Sequence, residues 1–142
     1  MDIVSREKRA SMMASVRQRD TRPEILLRQA LHRSGLRFRL HRRDLPGTPD
    51  IVLPGRRTVI FVHGCFWHRH EGCRRSTLPA TKTEFWTDKF FKNVERDRRV
   101  QASLRRLGWR VFVVWECQLL TPERARHLAK SFSRVLRRKY SS

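Results

Sequence analysis

The stretch from His63 to Lys82 has neither the two-residue alternation of a strand nor helical spacing, yet it holds three of the six histidines and two of the three cysteines. A loop of this length buries too little apolar surface to offset the entropy of ordering it. Its composition offers another means. Cys65-Phe66-Trp67-His68-Arg69-His70-Glu71-Gly72-Cys73 puts two thiols and two imidazoles within nine residues. Cys117 lies just past an apolar run that, folded as a strand, could return beside them. Zinc takes four such ligands in a tetrahedron. Cys65, His70, Cys73 and Cys117 would make a closed Cys3His structural site that leaves His68 outside. The competing reading takes the thiols as small buried apolar groups and the imidazoles as surface residues. The zinc reading uses every cysteine in the chain, and three cysteines in a cytoplasmic protein argue against a disulfide framework.

On either side of this loop the pattern is regular. Residues 1–19 carry mixed charge with Met12, Met13 and Val16, and read as an arm or short helix; 20–142 read as one domain, the length allowing one modest core. Thr21 can cap a helix with Pro23 in its first turn and Glu24 at the capping-box position, the helix ending near Ser34 and Gly35. Leu36, Phe38 and Leu40 alternate as one face of a strand. Asp50-Ile51-Val52-Leu53 and Thr58-Val59-Ile60-Phe61-Val62, separated by Pro54-Gly55, read as a hairpin. Glu84 to Leu107 reads as helix with a break near Asn93. Trp109 to Trp115 is apolar enough for the middle of a sheet. Thr121-Pro122 opens a last helix with Ala125, Leu128, Ala129, Phe132, Val135 and Leu136 on its inner face. The expected class is α/β in the order α-β-β-β-α-β-α, a central mixed sheet flanked by helices.

Charge narrows the partner. Lys and Arg number 33 against 13 Asp and Glu, a formal net charge of +20, which attracts polyanions and nucleic acid above all. No run approaches the ~20 apolar residues of a membrane span, and the N-terminus lacks a secretory signal's apolar stretch. A cytoplasmic protein that acts away from membranes, as a monomer, is expected. A basic nucleic-acid binder without catalysis would satisfy charge and cysteines alike.

Asp50 argues for more. A carboxylate at the head of a strand, with a second strand one short turn later, is the skeleton of a metal-dependent nuclease site, where Mg²⁺ stabilises charge developing on a scissile phosphate. Alone, Pro49-Asp50 is better explained as a turn that caps a strand. The next strand, however, ends in His63 with His68 following, and a neutral imidazole there could take a proton from water. Phe66, Trp67, Phe85 and Trp86 are aromatics in polar company, suited to wedging between base steps or to covering the loop, the latter favoured for Phe85. Phe90, Phe91, Trp109 and Trp115 read as core. His32, His41 and His127 receive no role.

Phe61-Val62-His63-Gly64-Cys65-Phe66-Trp67-His68, then Pro79 to Trp86, Lys92-Asn93-Val94-Glu95-Arg96-Asp97, Gly108-Trp109-Arg110-Val111 and Trp115-Glu116-Cys117 resemble the very-short-patch repair (Vsr) endonucleases, in order and spacing, from about Asp20 to Cys117. The resemblance implies a restriction-endonuclease-like fold, a structural Zn²⁺, and Mg²⁺-dependent nicking of DNA 5′ of the thymine in a T:G mismatch. It further implies work beside a cytosine-5 methyltransferase, whose deaminated product makes such mismatches, and alongside mismatch-repair proteins. Carried onto this chain, it makes Asp50 the Mg²⁺ ligand, His68 the general base, His63 a second active-site histidine and Glu24 an acid that arranges metal and water. Cys65, His70, Cys73 and Cys117 become the zinc ligands, Phe66, Trp67 and Trp86 the intercalating aromatics, and Lys89 and Asn93 contacts near the mismatched pair. Two positions depart from the family pattern. Val62 stands where a threonine is usual, leaving only its backbone carbonyl to face a metal. Glu71 and Gly72 separate His70 from Cys73 where one residue is expected, so both His68 and His70 stay open as the fourth zinc ligand.

Overall fold

In the computed structural model, which describes residues 20–137, helix α1 (Arg22–Arg33) begins as its sequence dictates: the Thr21 hydroxyl accepts from the Glu24 amide at 3.4 Å, and Pro23 occupies the first turn. Ser34 closes it and Gly35 turns the chain at φ +84°, a left-handed conformation natural to glycine. The arm expected at 1–19 lies outside the described residues. Leu26, Leu27, Ala30 and Leu31 are buried on one side of α1, each large side chain worth about 1.5–3 kcal/mol relative to exposure.

Strand β1 is only Arg39–Leu40. The expected alternation over Leu36 to Leu40 does not hold along its length, since Leu36 is buried and Leu40 is 39% exposed. The reason is local: β1 is an edge strand whose antiparallel partner β2 (Ile51–Leu53) is itself short, and at His41 the chain turns away through a positive φ. β2 and β3 (Thr58–His63) form the expected hairpin, joined by a turn of 3-10 helix at Pro54–Arg56 and the left-handed Arg57. Helix α2 (Thr83–Arg106) then crosses over to β4 (Arg110–Trp115), which runs parallel to β3 from Thr58↔Arg110 to His63↔Trp115. α2 passes through Asn93 without the expected break; nothing near Asn93 in the sequence breaks a helix, there being no glycine or proline between Thr83 and Arg106.

The sheet order is β1-β2-β3-β4, mixed, with β4 at its outer side rather than in the middle as expected. Its apolar run has a different cause. Val114 and Phe112 pack into a core built with α1 and helix α3 (Pro122–Arg137), while Val111 and Val113 join Leu104 of α2 and Trp109 on the other face. Covered on both faces, β4 needs apolar residues on both. α3 buries Ala125, Ala129, Phe132 and Leu136, but Val135 is 50% exposed and falls off the expected face. Phe91, expected in the core, is 64% exposed on α2, its neighbour Phe90 having taken the inward position. No described helix is long and apolar enough to cross a membrane.

Two consequences position the site. Antiparallel pairing lays Asp50, at the head of β2, beside the end of β3; parallel pairing brings the ends of β3 and β4 together. The segment before Asp50 is held against α2 at Gly47, whose φ of +73° and close approach to the Val100 side chain leave no room for a Cβ.

Candidate active site and metal centre

Because β3 and β4 are parallel, Cys65 and Cys117, each two residues past its strand, emerge side by side. The ligand atoms of Cys65, His70, Cys73 and Cys117 all lie within 4.8 Å of one another, and His70 Nδ1 is 3.4 Å from Cys117 Sγ. Four such atoms at that spacing suit a tetrahedral ion with bonds of about 2.0–2.3 Å. Between the two open histidines the structure brings His70 into this cluster and puts His68 elsewhere. Gly72, at φ +74°, absorbs the additional residue before Cys73. Burial pushes the Cys65 thiol up to about 12, whereas a backbone hydrogen bond from Arg75 holds Cys73 below its usual range. A dication would supply the positive charge that three crowded thiolates need. The ring of His70 stacks on Trp115 at 4.3 Å, the Cys65 amide donates to Glu116 Oε1, and the Ser76 hydroxyl donates to the Cys65 carbonyl.

Arg69, at a positive φ between the two histidines, holds the loop from within. Its guanidinium donates to the carbonyls of Phe66, Ser76 and Thr77 and lies 4.0 Å from the ring centre of Phe90. The loop's order thus rests on backbone carbonyls captured by one side chain as well as on its cysteines.

On the opposite side of the β3 terminus lie the acids. Asp50 Oδ2 accepts from the Val62 amide at 2.8 Å, so Val62 meets Asp50 through its N–H, whereas its carbonyl is the atom expected to face a metal. Burial raises Asp50 to about 7, with the nearby Glu24 carboxylate adding to the rise and the Val62 bond opposing it. Glu24 is 1% exposed. Its carboxylate takes hydrogen bonds from Arg28 at 2.9 Å and from His41 Nε2 at 3.1 and 3.2 Å, so beyond the helix cap its side chain has tertiary partners. A buried carboxylate, Glu24, that disfavours the charge of a part-buried one, Asp50, makes with it the donor set of a hard divalent cation, and the residues present fit one.

His63 and His68 stack with ring centres 3.8 Å apart, nearly parallel, and His68 Nδ1 is 2.7 Å from Asp97 Oδ2 of α2. Burial, then the adjacent His68, lowers His63 to about 3, so it is neutral at ordinary pH. The Asp97 contact leaves His68 Nε2 free of the carboxylate, the arrangement in which an imidazole is oriented for proton transfer. These groups border an open cleft of about 580 Å³, lined also by Arg69, Arg98, Gln101 and Trp115. Asp97 and His41 are the residues that sequence reasoning missed.

Phe66, Trp67 and Trp86 come together around Phe90, with ring centres 5.0 Å apart for Phe66–Trp67 and 6.0 Å for Trp67–Trp86. Trp86 is 4% exposed, whereas Phe85, expected to cover the loop, is 45% exposed; it is turned outward because Trp86 occupies the inward position. Lys89 Nζ lies 5.3 Å from the Trp67 ring centre and Asn93 Nδ2 donates to the Trp67 carbonyl, so both surround the same aromatic.

The family model described as DNA mismatch endonuclease Vsr matches residues 1–75. The type II nicking enzyme V.XorIIP of Xanthomonas oryzae pv. oryzae is 55% identical over 118 residues, 83% of this chain and 86% of that protein. The DNA mismatch endonuclease Vsr of Escherichia coli is 49% identical over 118 residues, covering 83% and 75%. The type II nicking enzyme V.NmeAIP of Neisseria meningitidis is 42% identical, covering 83% and 84%.

Proposed function

Because the chain belongs to the family of the DNA mismatch endonuclease Vsr, we propose that it nicks one strand of duplex DNA on the 5′ side of the thymine in a T:G mismatch. The observation that carries this reading is that one strand, β3, holds Asp50, which faces Glu24, at the amide of Val62 and leads from His63 into the loop where His68 is oriented by Asp97. A binding module has no use for a buried Glu24 carboxylate set against Asp50 so that it disfavours the charge there.

When bound, a divalent cation such as Mg²⁺ would stabilise charge developing on the scissile phosphate and the leaving oxygen. Asp50 and Glu24 would hold it, with the carbonyl of Val62 as a further ligand. His68, its ring fixed by Asp97, takes a proton from the attacking water at Nε2; the new P–O bond forms as the bond to the leaving oxygen breaks. His63, neutral and stacked on His68, keeps that ring from rotating and lines the approach to the phosphate. Cys65, His70, Cys73 and Cys117 hold a structural Zn²⁺ that fixes the loop carrying both histidines. Phe66, Trp67 and Trp86 enter the base stack beside the mismatch, with Lys89 and Asn93 near the mispair. A T:G pair allows that entry more cheaply than a matched pair, its stacking and pairing being weaker. The α/β architecture supports a restriction-endonuclease-like fold, 20–142 acting as one domain with 1–19 as an arm. In the cytoplasm such an activity would follow a cytosine-5 methyltransferase, repairing deaminated 5-methylcytosine in concert with mismatch-repair proteins.

Asp50→Ala and His68→Ala separate chemistry from recognition. Both should abolish nicking of a T:G duplex in Mg²⁺ while leaving affinity for that duplex within about threefold, less than the tenfold that corresponds to 1.4 kcal/mol. Retained nicking by either variant would overturn the assigned chemistry.

A further inference from the structure

His41 directly follows a short edge strand, where a solvent-facing histidine is the ordinary expectation. Instead its side chain is 12% exposed, beside a Glu24 side chain at 2%. Nε2 lies 3.1 and 3.2 Å from the two carboxylate oxygens. An ionised carboxylate only accepts, so Nε2 carries the hydrogen and donates. The amide of the same residue donates to the carbonyl of Asp50 at 3.1 Å. His41 does both from φ +49°, a left-handed conformation sparsely populated by residues other than glycine. One residue therefore grips both acids, Asp50 by its backbone and Glu24 by its side chain. Arg28 also bonds Glu24, but through one oxygen and while reaching outward to Asp20.

We propose that His41 is a positioning residue for the acidic pair: its imidazole fixes the Glu24 conformation that faces Asp50, and so sets the separation of the carboxylates that receive the cation. This rests on the reading of Asp50 and Glu24 as the cation-holding pair. An imidazole suits the task because it can donate a hydrogen bond without adding a fixed charge, which a second arginine would place against the negative charge that attracts the cation. Without the His41 imidazole, Glu24 would keep only Arg28, whose same nitrogen also bonds Asp20.

The test compares nicking of a T:G-mismatched duplex over a Mg²⁺ titration for the unaltered 142-residue chain and its His41→Ala, His41→Gln, Glu24→Gln and His41→Ala/Glu24→Gln variants. His41→Ala should lower the rate at saturating Mg²⁺ and raise the half-saturating Mg²⁺ concentration, each by about ten- to a hundredfold, the range for partners that orient metal ligands. His41→Gln, which keeps an N–H donor, should recover most of both. The double variant should be no slower than Glu24→Gln alone, since His41 acts through that carboxylate. An unchanged Mg²⁺ midpoint in His41→Ala, failure of His41→Gln to improve on Ala, or additive losses in the double variant would each overturn the proposal. Asp50→Ala, run beside them, keeps the two readings apart. If it is inactive while His41→Ala matches the unaltered protein, the positioning role alone fails; if it nicks normally, the acidic pair fails and the role of His41 with it.

Discussion

Glu24 shows what a single residue can be asked to do. At position three of α1 its amide meets the Thr21 hydroxyl, which is how a sequence reader finds the helix start, while its carboxylate turns inward to Arg28 and His41. Glu24→Gln keeps the shape and the backbone cap. It leaves a buried hydrogen bond to Arg28 or His41 unmade, which should cost about 1–3 kcal/mol of stability, and it should reduce nicking by about ten- to a hundredfold through the metal site. Thermal denaturation alongside nicking rates checks both halves, and full activity would reduce Glu24 to a helix-start residue. Asp50 and His68 stand out in the sequence as candidates because each sits in a local pattern, an acid at a strand head and a histidine in a Cys/His run. Their supporting partners do not. Glu24 and His41 are 17 positions apart, and His68 and Asp97 are 29; no local period links residues that only tertiary packing brings together.

At the scale of elements, the gathering of Cys65, His70 and Cys73 with Cys117 was legible because two thiols and two imidazoles crowd a loop without periodicity. The structure adds that Arg69 ties three of its carbonyls and stacks on Phe90 of α2. One zinc per chain is expected on elemental analysis of protein purified without chelator, and Cys73→Ser or Cys117→Ser should lose it together with the loop's protection from proteolysis; a folded, zinc-free protein with intact protection would refute the site. Trp67→Ala should narrow the preference for mismatched over matched duplex, a loss of about 1–3 kcal/mol if the ring stacks on a base. Equal weakening of both duplexes in a binding titration would make Trp67 a packing residue. β4 was misjudged because an apolar run reports that both faces are covered, not how many strands flank it. The left-handed Gly47 against Val100 is a constraint of the same scale: Gly47→Ala should lift the segment before Asp50 off α2 and destabilise the fold by about 1–3 kcal/mol, as a denaturant titration would record.

For the whole molecule, the net charge of +20 governs how the protein reaches DNA, and the site governs what happens there. Affinity for matched duplex should fall linearly in log–log form with salt, with a slope near −0.9 for each phosphate neutralised. The ratio of mismatched to matched affinity should change far less, because stacking beside the mispair releases no additional counterions. The charge was readable from composition; that the aromatics gather around Phe90 on one side of the loop while the acids meet β3 on the other was not, since both arrangements depend on tertiary packing. The measurement that bears most directly on the account is cleavage of end-labelled duplexes identical except for one pair, T:G or matched, each with Mg²⁺ or with EDTA. A single nick 5′ of the mismatched thymine, confined to that strand, dependent on Mg²⁺ and absent from the matched duplex, is the predicted result. Cleavage of both duplexes alike, or binding of the mismatch with no nick in Mg²⁺, would contradict it.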